Sequence, residues 1–140
     1  MCWSILYREN KISSEKCIKD YNIYKKVNVL ENCRYMFQIN EIYIQNKLYY
    51  DISHKQCACD FFNPKNLTLR KEFEKLILAR MEILCVEPII YLKWIEDNSG
   101  IKNMSSNVIN INQNEILTIF SKGYKETSYC VKRINGDKYE

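Results

Sequence analysis

Glycine, alanine, proline and histidine are scarce in this chain, and the scarcity narrows what it can do. With three glycines and two prolines, it carries no GxGxxG, Walker, HExxH or GxSxG motif. The single histidine, His54, leaves most acid–base and metal schemes short of parts. No apolar run approaches the roughly 20 residues needed to cross a bilayer. The stretch from Met1 to Glu9 lacks the basic start and apolar centre of a signal peptide, so export is not expected. Charge of one sign is also missing: the net charge of +4 is spread thinly, nine basic and seven acidic residues in 1–60 against twelve and ten in 61–140. A duplex-DNA reader would carry a basic stripe or arm.

What is abundant is isoleucine, asparagine, lysine and tyrosine, at nineteen, fifteen, sixteen and eleven residues. All four are specified by A/T-rich codons, which points to a low-GC bacterium, its phage or its plasmid. Hydrophobic residues make up 46% and charged residues 27% of 140 residues, enough for one globular domain that buries roughly two-thirds of its unfolded surface. The expected domain spans residues 1–140, with a polar tail after about residue 135. Seven cysteines, an odd number in a chain without an export signal, read as reduced thiols of a cytoplasmic protein.

Periodicity supplies the elements. Trp3 to Tyr7 predicts a strand, and Ser13-Ser14-Glu15 caps a short helix running to Tyr24. From Arg34 the period becomes two, with Tyr35, Phe37 and Ile39 on one face. Glu41–Ile44 and Leu48–Ile52 form a hairpin. A three-residue loop, Gln45-Asn46-Lys47, sets Ile44 opposite Leu48 and Tyr43 opposite Tyr49, which keeps the faces pure. Cys57–Phe62 predicts another strand, stopped at Asn63-Pro64. Leu69, Phe73, Leu76, Ile77, Met81 and Leu84 recur at helical spacing, with Arg70, Lys71, Glu74, Lys75 and Glu82 outward. Pro88 ends that helix. Ile89–Ile95, apolar on both faces, predicts a central strand, and Val108–Ile111, Ile116–Phe120 and Thr127–Ile134 predict three more. The fold class that follows is α+β: a largely antiparallel sheet with one long and one short helix on one face. Its core is expected to pack Phe73, Leu76, Ile77 and Met81 on Tyr35, Phe37, Leu92 and Trp94.

Chemistry is argued from one place, His54-x2-Cys57-x-Cys59. Alternate strand residues share a face, so both thiols could reach one ion, but the remaining ligands would have to come from Cys33, Cys85 or Cys130. A nucleophilic Cys57 or Cys59 would need His54 as base and Asp51, Asp60 or Asn63 to orient it. The favoured reading makes Cys57 and Cys59 small buried residues, with Ala58 and Asp60 outward. No cofactor and no metal is expected on this count. Glu96-Asp97, Glu72 and Glu74 read as solvated charges.

The remaining signal is aromatics interleaved with lysines: Tyr21, Tyr24, Lys25 and Lys26; Tyr43, Lys47 and Tyr49; Tyr91 and Lys93 beside Trp94. Such surfaces suit protein partners or single-stranded and RNA ligands. The functional expectation is a non-enzymatic binding protein without a catalytic residue. Its partner would be a protein or protein–RNA effector complex, met through Tyr43, Lys47, Tyr49, Tyr91 and Lys93, with no membrane contact. The concrete form is an anti-CRISPR-like inhibitor of a host defence complex, encoded by a phage or mobile element. A thiol or metal enzyme at His54/Cys57/Cys59, a toxin-immunity protein and an RNA-binding module are the alternatives.

Overall fold

The computed structural model describes residues 2–11, 37–55, 57–84, 86–95, 104, 107–121 and 126–133. The expected short helix to Tyr24, Tyr35 and the tail after residue 135 lie outside these residues. Among the described residues six strands form one mixed sheet: β1 (Cys2–Lys11), β2 (Gln38–Ile44), β3 (Lys47–Ser53), β4 (Val86–Ile95), β5 (Val108–Asn112) and β6 (Thr127–Lys132). Their spatial order is β2-β3-β1-β4-β6-β5. All neighbours are antiparallel except β5 and β6, which run parallel. With one long helix, α1 (Leu67–Leu84), this is the expected α+β architecture. No helix among the described residues is long and apolar enough to cross a membrane.

β1 and β4 pair along their whole lengths, from Cys2 opposite Ile95 to Lys11 opposite Val86. Alternation then gives each strand two faces. Trp3, Ile5 and Tyr7 face the helix side with Ile90, Leu92 and Ile52, and α1 lays Leu69, Phe73, Leu76, Ile77 and Met81 on them. The expected helical core is therefore present, with Phe37 and Leu92 buried in it and Trp94 at its margin. On the reverse face Leu6, Ile44, Tyr49, Tyr91 and Met104 make a second, smaller cluster. β4, between β1 and β6, is apolar on both faces as expected of a central strand.

Three local expectations are corrected. The hairpin turns on two residues, not three: Gln45 and Asn46 both have positive φ (52° and 65°), the backbone pattern of a type I′ turn whose twist matches the strands. Ile44 accordingly lies opposite Lys47, Tyr43 opposite Leu48 and Ile42 opposite Tyr49. The sheet buries apolar residues on both faces, so this register still buries Ile44 and Tyr49 while leaving Tyr43 exposed. Ile116–Phe120 is not a strand but part of a 3-10 helix, Gln113–Phe120. Asn112 starts it by accepting from the Asn114 N–H, while Glu115 reaches back to the Asn112 N–H, a reciprocal cap that satisfies donors a helix start leaves open.

The third correction concerns Cys57–Phe62. After β3 the chain turns at Lys55, whose φ is 52°. His54 and Cys57 exchange backbone bonds, the His54 N–H donating to the Cys57 carbonyl at 2.7 Å. Cys59–Phe62 is a single 3-10 turn. Ala58 is fully buried rather than outward. Adjacent Phe61 and Phe62 are buried in the same core cluster, whereas a strand would send them to opposite faces; a 3-10 turn allows both. Arg70, expected outward, is buried instead: its Nε donates to the Phe61 carbonyl at 2.6 Å and its guanidinium covers the Phe120 ring. One bond thus fastens the turn to α1.

Candidate functional site

All five phenylalanines belong to one connected aromatic network. Phe61 is its hub, with ring centroids 5.9 Å from Phe37, 5.6 Å from Phe73 and 5.7 Å from Phe120. Phe120 passes the contact to Phe62, and Phe62 to Trp3 at 4.8 Å. Trp3 then meets Trp94 edge-on at 5.2 Å, because the two are register partners on β1 and β4. Edge-to-face pairs of this kind add about 0.5–1.5 kcal/mol each beyond the area they bury. The network therefore carries the rigidity of the core out to the open end of the sheet.

At that end Trp3, Phe62, Pro64 and Trp94 wall a cleft of about 890 Å³, with Cys59, Asn63 and Glu126 completing it. Its size is that of pockets which take small ligands or a partner's side chain. Trp3 and Phe62 are themselves buried and act as backing; Trp94 is half-buried, and Asn63 and Pro64 are exposed. Accessible apolar surface is thus offered by Trp94 and Pro64. The Glu126 carboxylate stands 3.8 Å from Lys93 Nζ, so the acid in the cleft has a cation beside it.

Next to the cleft lie three thiols. The Ala58 N–H donates to the Trp3 carbonyl at 2.9 Å, and the Trp3 N–H donates to Cys59 Sγ at 3.3 Å. These two bonds seat the 57–59 segment on the start of β1 and bring Cys2 to it. Cys2, Cys57 and Cys59 have their sulfur atoms within 4.8 Å of one another, and all three are half-buried. The metal reading that the sequence disfavoured counted His54, Cys57 and Cys59, with Cys33, Cys85 or Cys130 to complete it; Cys33 and Cys85 lie outside the described residues, and the fold brings Cys2 to the two thiols and leaves His54 out of the set. Strand alternation cannot announce such a partner 55 residues upstream; only the docking of the turn on β1 reveals it. Burial pushes the Cys59 thiol above its ordinary range, the Trp3 N–H draws it back in part, and neighbouring Cys57 and Cys2 raise it further.

His54 has its own partner. Its Nδ1–H donates to Asp60 Oδ2 at 2.6 Å, so of Asp51, Asp60 and Asn63 it is Asp60 that orients the ring. Asp51 is engaged elsewhere, accepting from the Ser4 hydroxyl at 3.2 Å, and burial raises its carboxyl.

The five residues expected to meet a partner are placed very differently. Tyr43 is 71% exposed and Lys47 is exposed at the hairpin tip. Tyr49 and Tyr91 are buried on the reverse face, packed edge-to-face at 5.7 Å. Lys93 is buried too and directed at Glu126. The two-residue turn puts Tyr43 and Tyr49 on opposite faces, so the expected Tyr43/Lys47/Tyr49 surface does not form as one patch. The cleft residues Trp3, Phe62 and Pro64 were not singled out from sequence. A signal existed, since each tryptophan lies near one end of an apolar strand segment, but their pairing needs the β1–β4 register. Comparison with known proteins finds no matching family model, no matching curated protein and no matching solved structure.

Proposed function

We propose that this chain is a non-enzymatic binding protein that holds an apolar or aromatic side chain of a protein partner in the Trp3/Phe62/Pro64/Trp94 cleft. One observation carries this reading: an aromatic-walled opening of about 890 Å³, roomy enough for a large side chain and its neighbours, anchored through Phe62 to the core and therefore formed before any partner arrives. Preformed apolar pockets lose little entropy on binding, and an anchor side chain seated in one dominates an interface. Stoichiometric occlusion of a larger assembly is the mode such a protein would use. An inhibitor encoded by a mobile element, acting on a host defence complex, is the form we propose on the strength of size and codon-biased composition.

The test uses the chain's only two tryptophans, both of which line the cleft. Intrinsic fluorescence should shift as a partner recovered from the native host is titrated in, and saturate at one partner per chain. Trp94→Ala should weaken binding by about 2 kcal/mol or more, roughly 30-fold, with the circular dichroism unchanged. Tyr43→Ala at the hairpin should leave it intact. Inhibition at far below one equivalent, silenced by Cys57→Ser, would replace this reading with an enzyme built on the thiols.

A further inference from the structure

The three thiols beside the cleft make a ligand set. We infer that Cys2, Cys57 and Cys59 bind one thiophilic d10 metal ion, with zinc as the reference case, as three thiolates that leave a fourth coordination position for an outside donor. This site adjoins the proposed partner cleft and shares Cys59 with it.

Distance is the first support. Zinc–sulfur bonds of about 2.3 Å in a tetrahedral array put the sulfurs about 3.8 Å apart. The three Sγ atoms already lie within 4.8 Å of one another, so side-chain rotations of about an ångström close the set. Pre-organisation is the second. The ligands come from two segments far apart in sequence, and backbone bonds hold both: the Ala58 N–H to the Trp3 carbonyl, and His54 to Cys57 across the turn at Lys55. The third is the outer shell. A backbone N–H aimed at sulfur, here Trp3 to Cys59 at 3.3 Å, favours thiolate over thiol and tunes a metal–sulfur bond. Exposure fits as well, since half-buried sulfurs allow an ion to enter.

Electrostatics then explains why the metal and the thiols need each other. Three thiolates whose sulfurs lie within 4.8 Å of one another repel. A divalent ion removes that repulsion. The step balances without redox change: the ion takes up three sulfurs, three S–H protons pass to solvent, and the site's charge becomes −1. Binding must therefore weaken as pH falls. His54 is not a ligand in this arrangement; its Nδ1 is held by Asp60. Among the described residues the remaining cysteine, Cys130, is buried in β6 away from the set and serves as the control.

The experiment titrates the reduced full-length chain with zinc against a chromophoric chelator, and with cobalt followed by absorption. One ion per chain is expected, with sulfur-to-cobalt charge transfer and visible bands of a four-coordinate ion. Cys2→Ser and Cys57→Ser should each lower affinity by about 100-fold or more, beyond the range of an outer-shell change, while Cys130→Ser should not. A readout without variants is alkylation of the native chain: zinc should protect Cys2, Cys57 and Cys59 together. Failure of the reduced chain to bind zinc at equimolar micromolar concentrations would overturn the proposal, as would a cobalt spectrum without sulfur charge transfer. Alkylation unchanged by zinc would do the same. None of these results depends on a protein partner, so the metal site and the cleft reading can fail separately.

Discussion

Arg80→Met removes the guanidinium that ties α1 to β1 while keeping a stem of similar length. Arg80 is 3% exposed. Its Nε donates to Glu9 Oε2 at 2.7 Å and its Nη2 to Oε1 at 2.5 Å, and the Tyr7 hydroxyl donates to Oε2 at 2.8 Å. The net value of such a pair is small, because both charges gave up water to form it. Breaking it from one side is costly, because Glu9 keeps its charge in a largely dry place and loses two charge-assisted bonds. That loss is about 3–5 kcal/mol, a large share of the 5–15 kcal/mol typical of a whole domain. The melting temperature should fall by roughly 10 °C, at about 2–4 °C per kcal/mol for a chain near this size. Glu9→Gln alone should also destabilise, and the double variant should be at least about 2 kcal/mol more stable than the two single losses added together. Urea midpoints for the four chains give this coupling directly. A single Arg80→Met costing less than about 1 kcal/mol, or strictly additive losses, would refute the reasoning.

The aromatic hub gives a second test. Phe73 is fully buried against Phe61 and Phe120, so Phe73→Ala should cost about 3–5 kcal/mol, read from chemical denaturation; an unchanged midpoint would mean the helix packs elsewhere. The third concerns alkaline pH. Burial first, and then Glu9, hold the Tyr7 hydroxyl well above its ordinary 10.0, so above about pH 10 the unfolded chain releases a proton the folded chain keeps. Stability must then fall as pH rises past that point, and Tyr7→Phe should flatten the decline, leaving the part due to the other groups raised in the folded chain, Tyr91, Cys59, Cys130 and Lys132. An identical slope in Tyr7→Phe would exclude Tyr7 as its source.

Regular, strongly periodic segments were legible without coordinates. Leu69, Phe73, Leu76, Ile77 and Met81 repeat at the helical period, and that stripe alone defines α1 and the face it buries. Ile89–Ile95 carries apolar residues at every step but Lys93, which only a strand covered on both sides can use, and β4 proved central. Elements decided by turn geometry were not legible. Gln45 and Asn46 adopt positive φ without a glycine to signal it, and a second buried face takes up Ile44 and Tyr49 in the unexpected hairpin register. Cys57–Phe62 alternates acceptably on paper, yet Arg70 from a helix later in the chain binds the Phe61 carbonyl and stabilises a 3-10 turn there. The candidate sites follow the same division. Residue type and spacing singled out Cys57 and Cys59, because both belong to one short segment. Cys2 joined them, and Trp3 met Trp94, only when β1 paired with β4 and received the turn after β3. Those contacts depend on long-range backbone pairing, whose register is set by tertiary packing and leaves no local pattern in the chain.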